Sequence, residues 1–439
     1  MSLRQAIAGR TGRLVGSASR AVGFGAGEAV TGKLAHALDP TLFASLASRV
    51  PDGFVVVMGT NGKTSTAAML TRVLRSAETT VVTNATGANL IGGVVGALLK
   101  APDARIGVIE VDEAAARSIV PTLRPCVMIW TNVLRDQLDR YFETDVVLRH
   151  LEDAATSVDG TLVVNADDPG LVGVAERSGK PVVYYGLTYA RAETSALAAD
   201  SANCPRCGAP LHYEARYLGH LGRYSCPSCD FKRPAPDVAV TPLELNGARS
   251  LHVGVATPDG DVDVRLLTGG LGAAYNVGAT VAAARLVGVA PVTAAHALEG
   301  MTAVFGRGES IADGKGVLLL MKNPAGGNES VMQVLEDGFD RILIAINDRH
   351  ADGLDVSWLW DVEFERLAGR VHHVVVTGDR AADMAVRLKY AGLPVSLVEP
   401  DQRKAVAAIS DGPFAFLATY TAMLDARAVF RGKAERLRS

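Results

Sequence analysis

The chain has 439 residues, which is enough for about two or three domains that each bury a substantial core. Hydrophobic residues make up 48% and charged residues 21%, a composition that excludes general disorder. The 44 Lys and Arg residues nearly balance the 47 Asp and Glu residues and leave a formal charge of −3. This balance argues against a protein dedicated to binding nucleic acid.

The N-terminal region and the long uncharged stretches decide the expected compartment. Residues 79–99 and 266–284 carry no charge, but Asn, Gly and Thr interrupt both stretches, so neither predicts a membrane span. Three of the first thirteen residues are arginines, where a signal peptide would need its apolar centre. We therefore expect a cytoplasmic protein. Residues 1–50 predict a helical segment with a solvated basic face, and contact with the inner face of a membrane is the alternative.

Apolar runs alternate with helical stretches, which predicts a mostly parallel sheet covered on both faces. The first series of buried strands is expected at 54–58, 106–111, 126–130, 161–164 and 181–185. The second series is expected at 317–321, 341–346, 371–376, 395–398 and 414–418. The predicted domains are a helical segment at 1–50, a central α/β domain at 51–313 with an insert at about 200–234, and a Rossmann-like α/β domain at 314–439.

A glycine-rich loop joins the first strand to a helix predicted at 63–77, in the segment Gly59-Thr60-Asn61-Gly62-Lys63-Thr64-Ser65. Its backbone N–H groups and the helix N-terminus favour a polyphosphate. Lys63 is expected to reach the terminal phosphates, and the Thr64 hydroxyl is expected to hold Mg²⁺. Full Walker spacing would require glycine at Val57, so the match is partial. The loop predicts a nucleotide site.

Three acids end the strand predicted at 106–111. Unpaired carboxylates are costly to bury, so their presence there favours metal binding over packing. Glu110 is the magnesium candidate. For Asp112 and Glu113 a solvated turn remains the alternative.

Four of the five cysteines form two C-x-x-C pairs, Cys204 with Cys207 and Cys226 with Cys229. The 18 residues between the pairs are close to the spacing of a four-thiolate zinc ribbon. Four thiolates leave no open position, so the zinc would be structural; a redox role for the pairs is the alternative. A zinc ribbon can bind nucleic acid, but the few arginines of the insert give only a weak electrostatic case for it.

Several motifs together resemble the Mur ligase family, and more narrowly its MurT branch. The motifs are Gly59 to Thr64, Asn165 to Pro169, Tyr275-Asn276, Gly306 to Glu309, the cysteine insert, Arg135 to Arg140, Lys322 to Gly326 and Ala351 to Trp358. The resemblance implies a Mur ligase central ATPase domain. It also implies that Asn276 contacts the adenine and that Asp167 and Arg307 lie around the nucleotide. Gln137 stands where classical members often have histidine, and their carbamylated lysine has no identified counterpart.

The resemblance implies ATP-dependent amidation of the D-glutamate carboxylate of the lipid II stem peptide. Transfer of the terminal phosphoryl group of ATP to the carboxylate would form an acyl phosphate. Lys63, Glu110 and Mg²⁺ would act on this step, and ammonia would then attack the acyl phosphate. A GatD-type glutaminase is the implied partner. The chain itself offers little for glutamine hydrolysis, because Cys126 lies in an apolar run and is expected to be a buried hydrophobe.

Residues 347–361 interleave four aspartates with Trp358 and Trp360, which indicates either loop packing or a partner interface. The resemblance implies that Asp355 orients the catalytic histidine of the glutaminase, with Asp352 as the fallback. Two other functions remain open. They are a Mur or folylpolyglutamate type of amino-acid ligase and a non-catalytic nucleotide-binding scaffold.

Overall fold

The computed structural model describes residues 3–21, 28–84, 88–136, 144–189, 203–303 and 306–436. The chain starts with three helices, α1 (Leu3–Ala21), α2 (Glu28–Leu38) and α3 (Thr41–Ala47). Glycines here permit close helix packing, because a Cβ at Gly32 would lie 1.9 Å from the carbonyl oxygen of Gly92 in a later helix. Among the described residues, no helix combines the length and the apolar character that crossing a membrane requires.

Strands and helices then alternate as the sequence predicts. The elements are β1 (Phe54–Met58), α4 (Lys63–Ser76), β2 (Val81–Thr83), α5 (Ile91–Lys100), β3 (Ile106–Glu110), α6 (Ala116–Leu123), β4 (Val127–Trp130), α7 (Thr144–Ala155), β5 (Thr161–Asn165), α8 (Pro169–Ser178) and β6 (Val182–Leu187). Strands β1, β3 and β4 are buried along their whole length, which is the pattern of a parallel sheet covered on both faces. The five strands predicted in this region are confirmed.

After β6 the chain forms an inserted hairpin and then returns to the sheet. The elements are β7 (His212–Leu218), β8 (Leu221–Ser225), β9 (Val238–Asn246), β10 (Ser250–Ala256), β11 (Val262–Leu266), α9 (Leu271–Leu286) and α10 (Pro291–Leu298). Strands β9 to β11 pair antiparallel with each other, and β9 joins β6 in parallel. Sequence reasoning missed this antiparallel extension and the short strand β2.

Among the described residues, nine strands form the first sheet in the order β11-β10-β9-β6-β5-β4-β1-β3-β2. Strand β1 lies between β3 and β4, so its carboxyl end meets the ends of both neighbours. Ligands of open α/β sheets bind beyond the carboxyl ends of the strands, where the order of strands reverses. The loop that begins at Gly59 lies at this point.

A second sheet follows. Its elements are β12 (Arg307–Ile311), β13 (Gly316–Leu320), α11 (Pro324–Glu336), β14 (Arg341–Ala345), β15 (His373–Thr377), α12 (Ala381–Tyr390), β16 (Leu397–Val398), α13 (Gln402–Ile409), β17 (Phe414–Ala418) and α14 (Tyr420–Arg436). In the part of the chain that the structure describes, the order is β12-β13-β17-β14-β15-β16, with all pairs parallel except β12 and β13. The five strands predicted here are confirmed. Because β12 belongs to this sheet, the sheet begins before residue 314.

Candidate functional site

The loop after β1 has the backbone shape of a phosphate-binding turn. Gly62 has a φ of +91° and immediately precedes α4, a conformation that L side chains rarely adopt. A Cβ at this position would also lie 2.4 Å from Asn276 Oδ1. Position 62 therefore requires glycine for two reasons, the backbone conformation of the turn and the close approach of Asn276 from α9. The first N–H groups of α4 face the loop, as an anion site needs.

Lys63 is buried at the start of α4, close to several acidic side chains. Its Nζ donates to Glu113 Oε1 at 2.9 Å and to the carbonyl oxygen of Gly59. Burial acts to lower the pKa of Lys63, but the charges of Glu113 and Glu110 outweigh burial and raise it. The ammonium is therefore charged at neutral pH, and Glu113 is its present counter-ion.

Glu113 is a functional candidate that sequence reasoning missed. Its Oε1 accepts from the backbone N–H of Gly59 at 2.9 Å as well as from Lys63. The solvated turn left open for Asp112 and Glu113 is wrong, because both residues are buried, with exposed fractions of 8% and 5%. The Glu113 carboxylate thus lies in the anion-binding turn itself. No spacing rule for phosphate loops would have singled it out.

Glu110 ends β3 beside the loop, as the sequence predicts. The Thr64 hydroxyl donates to Glu110 Oε2 at 2.8 Å. Asn84 holds the strand end, since its side chain bonds both the N–H and the carbonyl oxygen of Glu110, at 2.9 and 2.8 Å. One hydroxyl and one carboxylate side by side are a donor set that suits Mg²⁺.

Helix α9 supplies the opposite wall of the site. Asn276 is buried and its Oδ1 accepts from Thr66 on α4 at 3.2 Å. Its neighbour Tyr275 donates to Asp167 Oδ2 at 2.8 Å. Asp167 also accepts from Arg233 and from the backbone N–H of Leu187, so this fully buried carboxylate is well satisfied. Asn276 therefore lies next to the loop at Gly62, whereas Asp167 bonds the neighbouring Tyr275.

Two of the family motifs lie partly outside the described residues. Arg307 starts β12, and its side chain lies outside the described residues. Arg135 and Asp136 are described, whereas 137–140 of the same motif lie outside the described residues. The place of Arg307 near the nucleotide stays a prediction.

The second sheet contacts the loop directly through the residues that follow β13. Lys322 Nζ donates to the carbonyl oxygen of Thr60 at 3.0 Å and also contacts Asp136. The side-chain amides of Asn61 and Asn323 exchange two hydrogen bonds of 3.3 and 3.0 Å. The Lys322-Asn323 pair, recognised only as a motif, therefore ties the two sheets together at the loop.

A cleft opens between the two sheets next to these contacts. Among the residues that line it are Gly62, Met69, Leu218, Ala273, Asn276 and Gln333. A second, smaller pocket adjoins it and includes Asp136, Asp355 and Trp358. Lys322 lines both, so it separates the cleft from the Asp355 pocket.

The four paired cysteines converge at the base of the β7–β8 hairpin. Their Sγ atoms all lie within 4.8 Å of one another. Separations of 3.6 Å for Cys204 and Cys229 and 3.5 Å for Cys207 and Cys226 are far too long for disulfides. Four sulfurs at Zn–S distances of about 2.3 Å would be about 3.8 Å apart in a tetrahedron, so the cluster has the right size for zinc.

Three of the four aspartates in segment 347–361 bond residues that are distant in the sequence. Asp348 pairs with Arg380, Asp361 pairs with Arg135, and buried Asp352 accepts from the N–H and hydroxyl of Thr421 at the start of α14. Asp355 is half-buried and accepts from its near neighbour Ser357, from the N–H at 2.8 Å and from the hydroxyl at 3.0 Å. Internal pairing therefore accounts for much of the acidity that suggested an interface, and the bonds described for Asp355 stay within its own turn.

Cys126 immediately precedes β4 and is a partly buried residue packed against the core. Its Sγ contacts the carbonyl oxygen of Phe54 at 3.3 Å, and burial raises the pKa of the thiol. A thiol with a raised pKa is a weak nucleophile at neutral pH. The expectation of a buried hydrophobe agrees with this position.

Comparison with known proteins gives the family. Residues 57–205 match the family described as Mur ligase middle domain, and residues 320–423 match the family described as MurT ligase C-terminal. A pseudomurein peptide ligase type C from Methanothermus fervidus has a similar structure, with a TM-score of 0.70, 22% identity and coverage of 88% of this chain and 80% of that one. The MurF ligase from Thermotoga maritima in complex with ADP has a TM-score of 0.63, 15% identity and coverage of 91% and 84%.

The fold and the loop geometry thus define a Mur ligase-type α/β protein with two sheets and an inserted cysteine hairpin. Two curated relatives are each called "Lipid II isoglutaminyl synthase (glutamine-hydrolyzing) subunit MurT". The one from Staphylococcus aureus (strain COL) is 32% identical over 418 residues, with 93% of both chains covered. The one from Streptococcus pneumoniae (strain ATCC BAA-255 / R6) is 33% identical over 438 residues, with 96% and 95% covered. The chain belongs to the MurT family.

Proposed function

We propose that this chain is the ATP-dependent synthetase subunit of a lipid II isoglutaminyl synthase. It would convert the D-glutamate carboxylate of the lipid II stem peptide to the amide of D-isoglutamine. The observation that carries the proposal is the loop geometry around Lys63, found in a chain that matches glutamine-hydrolysing synthase subunits over nearly its whole length. A carboxylate must be activated before nitrogen can replace its oxygen, and a site built for a triphosphate supplies the means.

The reaction needs two displacements. A carboxylate oxygen attacks the γ-phosphorus of ATP, the bond to the β,γ-bridging oxygen breaks, and ADP leaves. Ammonia then attacks the carbonyl carbon of the acyl phosphate, loses a proton, and inorganic phosphate leaves. Lys63 and the N–H groups at the start of α4 would stabilise the charge that develops in the first step.

The nucleotide contacts follow the loop and α9. We assign the phosphates to Gly59, Thr60, Asn61, Gly62, Lys63, Thr64 and Ser65, the adenine to Asn276, and the surroundings of the nucleotide to Asp167 and Arg307. Support comes from the approach of Asn276 to the loop and from its place in the lining of the cleft. A bound triphosphate would have to displace the Glu113 carboxylate from Lys63 and the Gly59 N–H.

Two metals fit the residues present. Thr64 and Glu110 would hold Mg²⁺, which screens the phosphate charges when bound. The four cysteines would hold a structural Zn²⁺, because their sulfurs are arranged at nearly tetrahedral separations. Zinc would clamp an insert that is too small to bury a core of its own.

The nitrogen would come from a GatD-type glutaminase. We assign to Asp355 the role of orienting the catalytic histidine of that partner, since a carboxylate fixes the tautomer and stabilises the imidazolium. Accessibility favours Asp355 over Asp352, which is buried and bonded to Thr421. We also propose the domain limits 1–50, 51–313 and 314–439, with β12 as a strand of the central domain that pairs with the second sheet. Action at the inner face of the cell membrane is part of the proposal.

The experiment is reconstitution with a GatD-type glutaminase, ATP, glutamine and lipid II. Replacing OH by NH2 lowers the mass of the stem peptide by about 1 Da, and we expect this change only when ATP and glutamine are both present. An amino-acid ligase would instead add a whole residue mass without a glutaminase. An unchanged peptide in the complete mixture would contradict the proposal.

The Asp355→Asn variant tests the assignment of the partner contact. We expect glutamine-driven amidation to fall by at least about a hundredfold, because the histidine of the partner loses its orienting charge. Amidation driven by added ammonium at high pH should be retained, since the synthetase site is unchanged. Asp361→Asn is the matched control, because Asp361 pairs with Arg135 inside the chain. Equal losses with both nitrogen sources would refute the role of Asp355.

A further inference from the structure

The inserted hairpin reaches the nucleotide cleft. Leu218 is the last residue of β7, only 9% of its surface is exposed, and it lines the cleft. It does so together with Met69 from α4 and Ala273 from α9. These three side chains form an apolar wall close to the amide of Asn276. An apolar wall beside a polar amide suits a flat aromatic ring with a polar edge.

The tip of the hairpin is fixed to the protein by specific bonds. The N–H of Gly222 donates to the carbonyl oxygen of Asp167 at 2.9 Å, and the hydroxyl of Tyr224 donates to the carbonyl oxygen of Ala166 at 3.1 Å. Arg233, which follows the second cysteine pair, donates to the Asp167 carboxylate and to the carbonyl oxygen of Leu187 at 2.9 Å. The position of Leu218 is therefore set by bonds at both ends of the hairpin.

The same bonds connect the insert to α9. The Asp167 carboxylate that Arg233 contacts also accepts from Tyr275, the residue before Asn276. Arg233 and Asp167 have low side-chain exposures of 12% and 0%, so water screens their interaction weakly. An insert folded around its cysteines thus supports the residue to which we assign the adenine.

We propose that Leu218 contacts the purine base of the nucleotide and that the cysteine hairpin is part of the base-binding site. The inference rests on the proposed function, because it takes the cleft as the nucleotide site. The hairpin then has two roles, a fold clamp at its cysteines and a wall for the base at its tip. Leu218 is a specificity-determining residue, since it would contact the base and none of the phosphates.

The test compares two ligands that share phosphates but differ in the base. Titration of the full chain with Mg·ADP and with magnesium tripolyphosphate separates base contacts from phosphate contacts. We expect Leu218→Ala to weaken ADP binding by about tenfold or more, the usual cost of lost apolar contact in a pocket. Tripolyphosphate should bind as it does to the unchanged chain, and Leu218→Met should restore most of the ADP affinity.

Leu221→Ala is the matched control, because Leu221 is fully buried in the same hairpin and is absent from the residues that line the cleft. It should lower the melting temperature while leaving the ratio of ADP to tripolyphosphate affinity unchanged. Equal ADP affinity in Leu218→Ala and the unchanged chain, or equal weakening of both ligands, would overturn the inference. Failure of the unchanged chain to bind either ligand would instead overturn the proposed nucleotide site.

Discussion

Lys63→Met should destabilise the protein as well as inactivate it. The side chains of Lys63 and Glu113 are only 10% and 6% exposed, and they form an ion pair of 2.9 Å. Removing one partner of a buried pair costs about 3 to 5 kcal/mol, because the other charge stays buried without compensation. At roughly 2 to 4 °C per kcal/mol, the melting temperature should fall by about 10 °C. Amidation should fall by at least about a hundredfold.

The pH dependence of this deficit follows from the sign of the pKa change. Burial acts to lower the pKa of Lys63 in the folded chain, but the charges of Glu113 and Glu110 raise it above its usual value. A raised lysine pKa contributes stability that is fully present at neutral pH and is lost as the pH rises through the folded-state pKa. The melting deficit of Lys63→Met should therefore be constant around neutral pH and shrink only as the pH rises above about 10.

The double variant Lys63→Met with Glu113→Gln separates stability from catalysis. A neutral amide oxygen still accepts from the Gly59 N–H, so most of the lost stability should return while amidation stays absent. Lys389→Met is the control, because Lys389 is exposed on α12. Differential scanning fluorimetry gives the melting temperatures. A single variant that melts like the unchanged chain at pH 7, or a double variant with no recovery, would refute the reasoning.

Three further predictions concern the second sheet and the insert. Lys322→Met loses the bonds to Thr60 and Asp136, so the KM for ATP should rise about tenfold in steady-state kinetics; an unchanged KM would refute this. Asp352→Ala loses the carboxylate that caps α14 and should lower the free energy of unfolding in urea by about 1 to 3 kcal/mol. An unchanged urea midpoint would refute this prediction. Cys226→Ser should reduce metal content from about one zinc per chain; retention of full zinc would count against the four-thiolate site.

The parts of the fold that sequence could predict are those that local chemistry determines. Strands such as β1 and β17 are uninterrupted apolar runs and were predicted at their observed limits, 54–58 and 414–418. The antiparallel strand β9 was missed, because its last residues are mostly exposed and the strand carries Pro242 and three charged or polar residues, as a loop often does.

The site was predictable as far as its motif and no further. The loop residues and Glu110 follow from spacing, since each lies where a strand ends beside a helix start. Glu113 was misread because a carboxylate after a strand is normally solvated, and its burial depends on a lysine fifty residues earlier in the chain. Lys322 reaches Thr60 across 262 positions, a contact that only the packing of the two sheets creates.

The location of the cysteine hairpin bears on how the protein is made in the cell. Strands β6 and β9 are parallel neighbours, paired from Tyr185 with Val238 to Leu187 with Val240, and the hairpin is inserted in the connection between them. Parallel neighbours need a crossover, and here the crossover contains the four-cysteine hairpin. If the hairpin folds around the proposed zinc, ordering of this crossover would be coupled to metal binding. We would then expect chains made without zinc to expose β9 to β11 to proteases while their N-terminal strands stay folded.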